Sequence, residues 1–491
     1  MTMQTEQKND YISPTPALTP FERQWQQLWQ DIELAGGRYQ YVQQQLVEQG
    51  FVVDRQPIDN MSPKERDRYK KALKKEAAEE RKLKKEVWQA YQAHHIVYLG
   101  RHIYWSDDTS ADKWDVKDAH NRLIENKLPL ITKHTDLAEA FNLSVPQLKG
   151  LCYQRDVATN LSYSHFTINK RNGEPRQIWS PIPRLKFVQR WILDKILNNL
   201  MTHGAAHGFV RGKSIVTNAA VHSNSDILIK LDVKDFFPSV SWRRVKGVFR
   251  HAGYPEQIAT LLALLCTESP RQMVQQNGVT YYVALGDRAL PQGAPTSPAL
   301  SNIVCLNLDR RLTGLAGKIG LRYSRYADDL TFSLPLADKS AGIDNKNRQS
   351  KASNQDINTE NDTKNMSDTK HNQLIGQLLG SVHKILREEG FALNNDKTRV
   401  IRTGNQQNVT GMIVNGNGEP RVPRQIKRML RAAVHNLESG GSLRGDETYD
   451  TLSGYAAWIA SAEPKLGHEY LSKIEKIRMI SHENPVTNNS H

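Results

Sequence analysis

Residues 321–335 read LRYSRYADDLTFSLP, two runs of strand-forming residues with adjacent carboxylates, Asp328 and Asp329, between them. No other stretch constrains the fold as strongly. Neighbouring side chains of a regular strand point to opposite faces, so both acids can approach one site only where the chain turns. The stretch therefore predicts a hairpin with its tip at the acids. Two adjacent anions repel, and something must compensate. DILIKLDVKDFFPSV, residues 226–240, reads as a buried strand that reaches Asp232 shortly before a proline turn. If that strand end lies beside the hairpin tip, two or three carboxylates converge. Hard cations relieve such repulsion, and Mg²⁺ takes oxygen ligands while leaving room for substrate phosphates. Two ions about 3.5–4 Å apart are the arrangement used for in-line phosphoryl transfer. An isolated Asp-Asp pair is more often two turn caps, so the decision rests on the surrounding segments.

LPQGAPTSPALSN, residues 290–302, combines a glycine turn with a helix start at Ser297-Pro298. Backbone near Gln292 and Gly293 can thus come close to a flat ligand. HFTINKRNGEPRQIWSPIP, residues 165–183, predicts two strands joined at Asn172-Gly173, with Lys170, Arg171 and Arg176 placed to grip a triphosphate. The formal net charge of +14 favours a polyanionic partner. A basic but ordinary surface is the alternative.

The 491 residues predict roughly two to four domains, and the 38% apolar content suffices for a core. Residues 1–18 predict a disordered tail. A helical extension spans 19–95. Its first helix is capped by Thr19-Pro20 with Glu22, and Phe21, Trp25, Leu28, Trp29 and Ile32 share one face. Its second follows Ser62-Pro63 and is long and charged, with lysines and glutamates mixed as on a solvated face. Strands and helices alternate over 96–415, which predicts an α+β domain. Residues 338–373 are almost wholly polar and predict a disordered insertion. About three helices follow over 416–480, then a disordered tail over 481–491. The three cysteines form no CxxC pair, and the N-terminus lacks the apolar stretch of a signal peptide. No apolar run approaches the roughly 18 residues of a membrane span. A reducing, cytoplasmic setting is expected, with no membrane partner. GFVRGKS, residues 208–214, is one residue short of a phosphate-binding loop, and the histidines show no metal-ligand spacing.

LDVKDFFPSV, LPQGAPTSP, RYADD and NNDKT, in this order, resemble the palm motifs of reverse transcriptases. HGFVRGKSIVTNAAVH and NVTGMIVN narrow the resemblance to bacterial retron enzymes of the larger type, with an N-terminal extension. The resemblance covers about 95–480. It implies a right-hand polymerase, with fingers and palm over 96–415 and a helical thumb over 416–480. Asp232 and Asp328 would hold two Mg²⁺ ions, with Asp329 in support and the Val233 carbonyl as a further ligand. Phe237 would be a steric gate selecting deoxynucleotides. Lys170 and Arg176 would bind the incoming triphosphate, Gln292 and Gly293 would meet the nucleotide, and Tyr326 and Ala327 would border the primer end. Lys397 would protonate the departing pyrophosphate.

Asn218 and His222 are i,i+4 neighbours whose amide and imidazole are expected to face RNA; a helix cap and a satisfied histidine are the alternative. Val409, Thr410 and Gly411 are given an RNA role by resemblance alone. Arg424, Lys427, Arg428 and Arg431 recur at helical spacing and are expected to track phosphates. The implied function is RNA-directed DNA synthesis on the enzyme's own structured noncoding RNA. It would be primed from an internal guanosine 2′-hydroxyl to give branched RNA–DNA (msDNA), in antiphage defence with an effector protein. The segment after 480 is too short for a ribonuclease H domain, so host RNase H is expected to trim the template. The rivals are a group II intron-like or other bacterial reverse transcriptase priming from a 3′-hydroxyl, and an inactive RNA-binding module.

Overall fold

A computed structural model describes residues 20–106, 116–169, 173, 175–336, 356–415, 418–445 and 447–483. The chain divides into two compact units, one of residues 1–200 with 240–300 and one of 201–239 with 301–491. Among the described residues no helix is long and apolar enough to cross a membrane, and Cys152, Cys266 and Cys305 are free and buried.

The first unit opens with helices Pro20–Leu34, Arg38–Glu48 and Pro63–His94. Trp29 and Ile32 pack on Val42, Leu46, Leu83, Val87 and Ala90, with Trp25 and Leu28 beside them. The tryptophan face read from the sequence is thus covered by the extension's own helices. Burying each such large side chain contributes about 1.5–3 kcal/mol. The expected Ser62 cap is present, with Glu65 closing the capping box. The Thr19 cap lies outside the described residues. Further along, helix Glu256–Cys266 is buried from Gln257 onward, and helix Trp242–Ala252 packs against it. Two antiparallel hairpins complete the unit. In one, Tyr163–Asn169 pairs with Pro175–Pro181; in the other, Arg271–Gln276 pairs with Val279–Ala284, and Val157–Ala158 adds to the second.

The second unit is built on an antiparallel sheet in the order Arg399–Arg402, Ser225–Lys234, Asp329–Pro335, Arg322–Tyr326, with Ala392–Leu393 also on Ser225–Lys234. The central strand Ser225–Lys234 is buried over most of its length, as its run of Ile and Leu requires. Three helices follow, Arg424–Glu438, Tyr449–Ala462 and Pro464–Glu483. Two of them meet so closely that a Cβ on Gly467 would stand 2.2 Å from the Ala460 nitrogen.

The expected disordered insertion is corrected in part. Residues 356–373 open the 33-residue helix Asp356–Glu388, while 338–355 lie outside the described residues. Ile375, Leu378, Val382 and Leu386 form a buried stripe in the helix's second half. Once that half is anchored, each residue added toward the N-terminus gains a backbone hydrogen bond, whatever its polarity.

Candidate active site

The hairpin tip explains the paired acids. Tyr326 pairs with Asp329, so Ala327 and Asp328 form the turn. Asp329 sits directly opposite Asp232 in the register of the central strand pair. Directly opposed residues of an antiparallel pair share a face, with Cβ atoms about 4.5–5.5 Å apart. Asp328 is tied to the same strand end, because its carbonyl accepts from the Val233 N–H at 3.0 Å. Asp232 and Asp329 line a cleft of about 240 Å³ with Lys230, Leu231, Lys397 and Arg399.

The charges in this cleft are unequal. Asp232 is nearly buried and accepts from Lys397 Nζ at 2.9 and 3.1 Å and from Asn394 Nδ2 at 3.0 Å. The Asp232 carboxylate in turn holds the Lys397 ammonium above its ordinary pKa. Asp329 has no such cation in contact. Burial first, then the Asp328 charge, push its pKa up to about 6, against the pull of Lys230. Among the described residues no three His, Cys, Asp or Glu side chains gather as a ready metal cage. Two opposed carboxylates, one drawing in an ammonium and the other resisting ionisation, still suit cations. Mg²⁺ in particular needs only one or two carboxylates, because substrate phosphates and water complete its shell.

The turn itself is held from beneath. Ala327 has φ +56°, a region non-glycine residues seldom occupy. Arg325, fully buried, donates to the Ala327 carbonyl at 3.1 Å and to Asn302 Oδ1 at 2.9 Å. Its Nε and Nη2 make a two-pronged ion pair with Asp309 at 2.8 and 2.7 Å, and the Tyr323 hydroxyl donates to the same carboxylate. On the other side the backbone of Gly208 touches the turn; a Cβ there would stand 2.7 Å from the Ala327 nitrogen. Conformations of this kind cost about 1–3 kcal/mol and persist where their surroundings over-determine them.

The sequence profile of the family described as "Reverse transcriptase (RNA-dependent DNA polymerase)" matches residues 168–414, half of the chain. Retron Mx162 reverse transcriptase from Myxococcus xanthus is 42% identical over 450 residues, covering 91% of this chain and 88% of the relative. The chain belongs to the retron reverse transcriptases. Retron Mx65 reverse transcriptase of the same organism is 36% identical, covering 69% of this chain and 70% of the relative. Retron Ec86 reverse transcriptase from Escherichia coli is 29% identical, covering 72% and 93%. The enzyme is accordingly an RNA-directed DNA polymerase of retron type, with mixed helix and strand and a helical N-terminal region.

The reverse transcriptase's other expected site residues fall into two sets. Phe237 is half-buried beside Phe236, and Tyr326 is half-buried near Phe209; both belong to the second unit with the carboxylates. Arg176, Gln292 and Gly293 belong to the first unit, and Lys170 lies outside the described residues. Gly293 (φ +123°) does permit a close approach, but to the chain's own strand. A Cβ there would be 2.8 Å from the Trp179 carbonyl, and Trp179 N–H donates to the Gln292 carbonyl at 2.8 Å. Arg176, on that strand, is exposed.

The retron-specific elements lie largely inside the fold. Helix Ile215–Ala220 ends before His222, and Asn218 and His222 are both buried. They do share a partner, Ser324 of the hairpin that carries Asp328 and Asp329. The Ser324 hydroxyl donates to Asn218 Oδ1 at 2.7 Å. His222 Nε2–H therefore donates to Ser324 Oγ at 2.7 Å, and Nδ1 accepts from the Ser333 hydroxyl at 2.8 Å. Burial and Arg322 push the His222 pKa down to about 3, so the ring is neutral. Its polar atoms are consumed inside the fold and do not face RNA. Val409 is core, and the Thr410 hydroxyl donates to the Ile215 carbonyl at 3.0 Å. Gly411, exposed with φ +85°, lies against Trp458. In helix Arg424–Glu438 Lys427 is paired with Glu463 at 2.9 Å, and Arg424, Arg428 and Arg431 are exposed, Arg431 reaching the Tyr470 hydroxyl.

Sequence reasoning missed Asp309, Asn302, Asn394 and the structural task of Arg325. Arg325 stood inside the RYADD motif, and a charged residue in a strand pattern otherwise bound for the core signals a buried partner. Nothing in LNLDRRL marks Asp309 as that partner.

Proposed function

We propose that Asp232, Asp328 and Asp329, with the Val233 carbonyl, hold two Mg²⁺ ions and that the enzyme extends DNA on an RNA template from deoxynucleoside triphosphates. The observation that carries this reading is the register of Asp232 against Asp329 in a cleft that already draws in the Lys397 ammonium. The bound ions would supply charge stabilisation at the transferring phosphorus and activate the attacking hydroxyl. The chain's own residues do the rest. Phe237 denies space to a ribose 2′-hydroxyl. Lys170 and Arg176 grip the triphosphate, Gln292 and Gly293 meet the nucleotide, and Tyr326 and Ala327 border the primer end. Lys397 is an ammonium with a proton to give to the departing pyrophosphate. Arg424 and Arg428 meet template phosphates as part of the thumb, residues 416–480.

In its retron the enzyme copies part of a structured noncoding RNA from an internal guanosine 2′-hydroxyl, leaving branched msDNA. It serves antiphage defence in the cytoplasm with an effector, and host RNase H trims the template. Three buried free cysteines accord with a reducing compartment.

Purified enzyme with Mg²⁺, deoxynucleotides and a primed RNA template should extend the primer, and Asp328→Asn should lower the rate at least about a thousandfold. Undiminished synthesis by that variant would sink the assignment. Product made on the cognate RNA should stay attached to it until a debranching enzyme acts; free DNA ends would favour 3′-hydroxyl priming.

A further inference from the structure

The helix Pro63–His94 separates its charges. Glu76, Leu83, Val87 and Ala90 are buried and mark its packed side. At 100° per residue, Lys70, Lys74, Arg81 and Lys85 fall together on the side facing away, with Arg66 at its flank, and all are exposed. Trp88, 42% exposed, continues the stripe, which runs about 33 Å from Arg66. The glutamates lie elsewhere. Glu76 is bound by Arg55, Glu79 by Lys82 and Glu80 by Lys84. One acid, Asp67, lies on the stripe itself, at its N-terminal end and at the azimuth of Lys85, and Lys71 pairs with it at 2.9 Å. A merely solvated helix intermixes its signs around the surface; here, from Lys70 onward, this face carries positive charge without an acid among it. That face ends in an aromatic platform. Trp88 stacks on Tyr91 with ring centroids 5.5 Å apart, and the Arg38 guanidinium lies 4.4 Å from the Tyr91 centroid.

We propose that this face docks the sugar-phosphate backbone of RNA, with Trp88 stacking against an unpaired base at its end. The charge of the stripe matches a phosphate row, and stacking on an exposed aromatic is the usual partner of such a track. The inference rests on membership of a family that uses RNA, but the face contains none of the residues assigned to polymerisation.

The test measures binding of a 20-base-pair RNA duplex, blunt or with an unpaired tail, across a salt series. The full-length enzyme is compared with the quadruple variant Lys70→Gln, Lys74→Gln, Arg81→Gln, Lys85→Gln, glutamine being chosen because it keeps helix propensity. The variant should bind both RNAs roughly ten- to a hundredfold more weakly at physiological salt, with a salt slope shallower by about 3. Trp88→Ala should weaken the tailed RNA about tenfold and leave the blunt duplex unchanged. Extension of oligo(dT) on poly(rA) should be equal in all three proteins. That control separates the two questions, because a wild-type enzyme unable to extend would refute the polymerase reading alone. Unchanged affinity and slope in the quadruple variant would overturn the docking face. So would retained RNA binding with lost binding of a polyglutamate peptide, which would assign the face to an acidic protein.

Discussion

Two antiparallel hairpins of this enzyme carry candidate site residues, and they are built in opposite ways. Tyr163–Asn169 with Pro175–Pro181, which bears Arg176, is exposed along most of its first strand and exposed or half-buried over all but the last residue of its second. Arg322–Tyr326 with Asp329–Pro335, which bears the candidate acids, is buried along most of both. The buried hairpin is further braced by Arg325 beneath its turn and by His222 between its strands. The difference matches the tasks proposed for them. Carboxylates that hold cations must be fixed to within about half an ångström, which only packed neighbours achieve. A cationic arm that meets a mobile polyphosphate works by reach and charge, and burial would neutralise it.

If burial is what fixes the acids, Arg325→Met should be the most damaging of the hairpin changes. It strands Asp309 without its cation, and removing one partner of a buried pair costs about 3–5 kcal/mol. Urea unfolding should show that loss, and polymerisation should fall with kcat more than with KM. An unfolding free energy within 1 kcal/mol of wild type would break the comparison, by the same scale.

Asp329→Asn tests the charge balance. The folded protein retains the Asp329 proton between about pH 4 and pH 6, where the unfolded chain has lost it, so this group lowers stability as pH rises through that window. Without divalent ions the variant should be more stable than wild type by about 2 kcal/mol at pH 7.5, a gain that vanishes below about pH 4. Its synthesis should nonetheless be severely impaired. A pH-independent difference would show that Asp329 is not strained by its neighbours.

His222→Ala sharpens the reading of the retron element as an internal brace. Loss of two buried hydrogen bonds should destabilise by about 1.5 kcal/mol, with RNA affinity unchanged at temperatures where the variant is folded. Weaker RNA binding at unaltered stability would return His222 to the surface role first read from its spacing. At the other extreme, Arg176→Ala should leave stability within about 0.5 kcal/mol and raise the nucleotide KM several-fold.

The hairpins, the helical extension and the convergence of Asp232 with the Asp328–Asp329 tip were legible in the sequence, because period-two apolar runs ending in acids leave few other arrangements. The partners of buried polar residues were not. Asp309 lies 16 positions from Arg325, and Ser333 lies 111 from His222. Only tertiary folding brings such pairs together, and a single sequence does not record it. The same limit hid the burial of Asn218 and His222. The helix ends before His222, and what joins the two residues is their common partner Ser324, which their spacing does not reveal.

The three C-terminal helices do not own their interior. Ala219 and Leu228, the latter from the central strand, lie in the same apolar cluster as Leu430, Val434, Leu452, Ile459 and Ile474. Close-packed interiors resist partial opening. Swinging these helices away would expose Leu228 and leave a hole behind the strand that ends at Asp232. The three helices and the strand that carries Asp232 therefore share one interior, so a change that loosens the helices also loosens the support of that carboxylate.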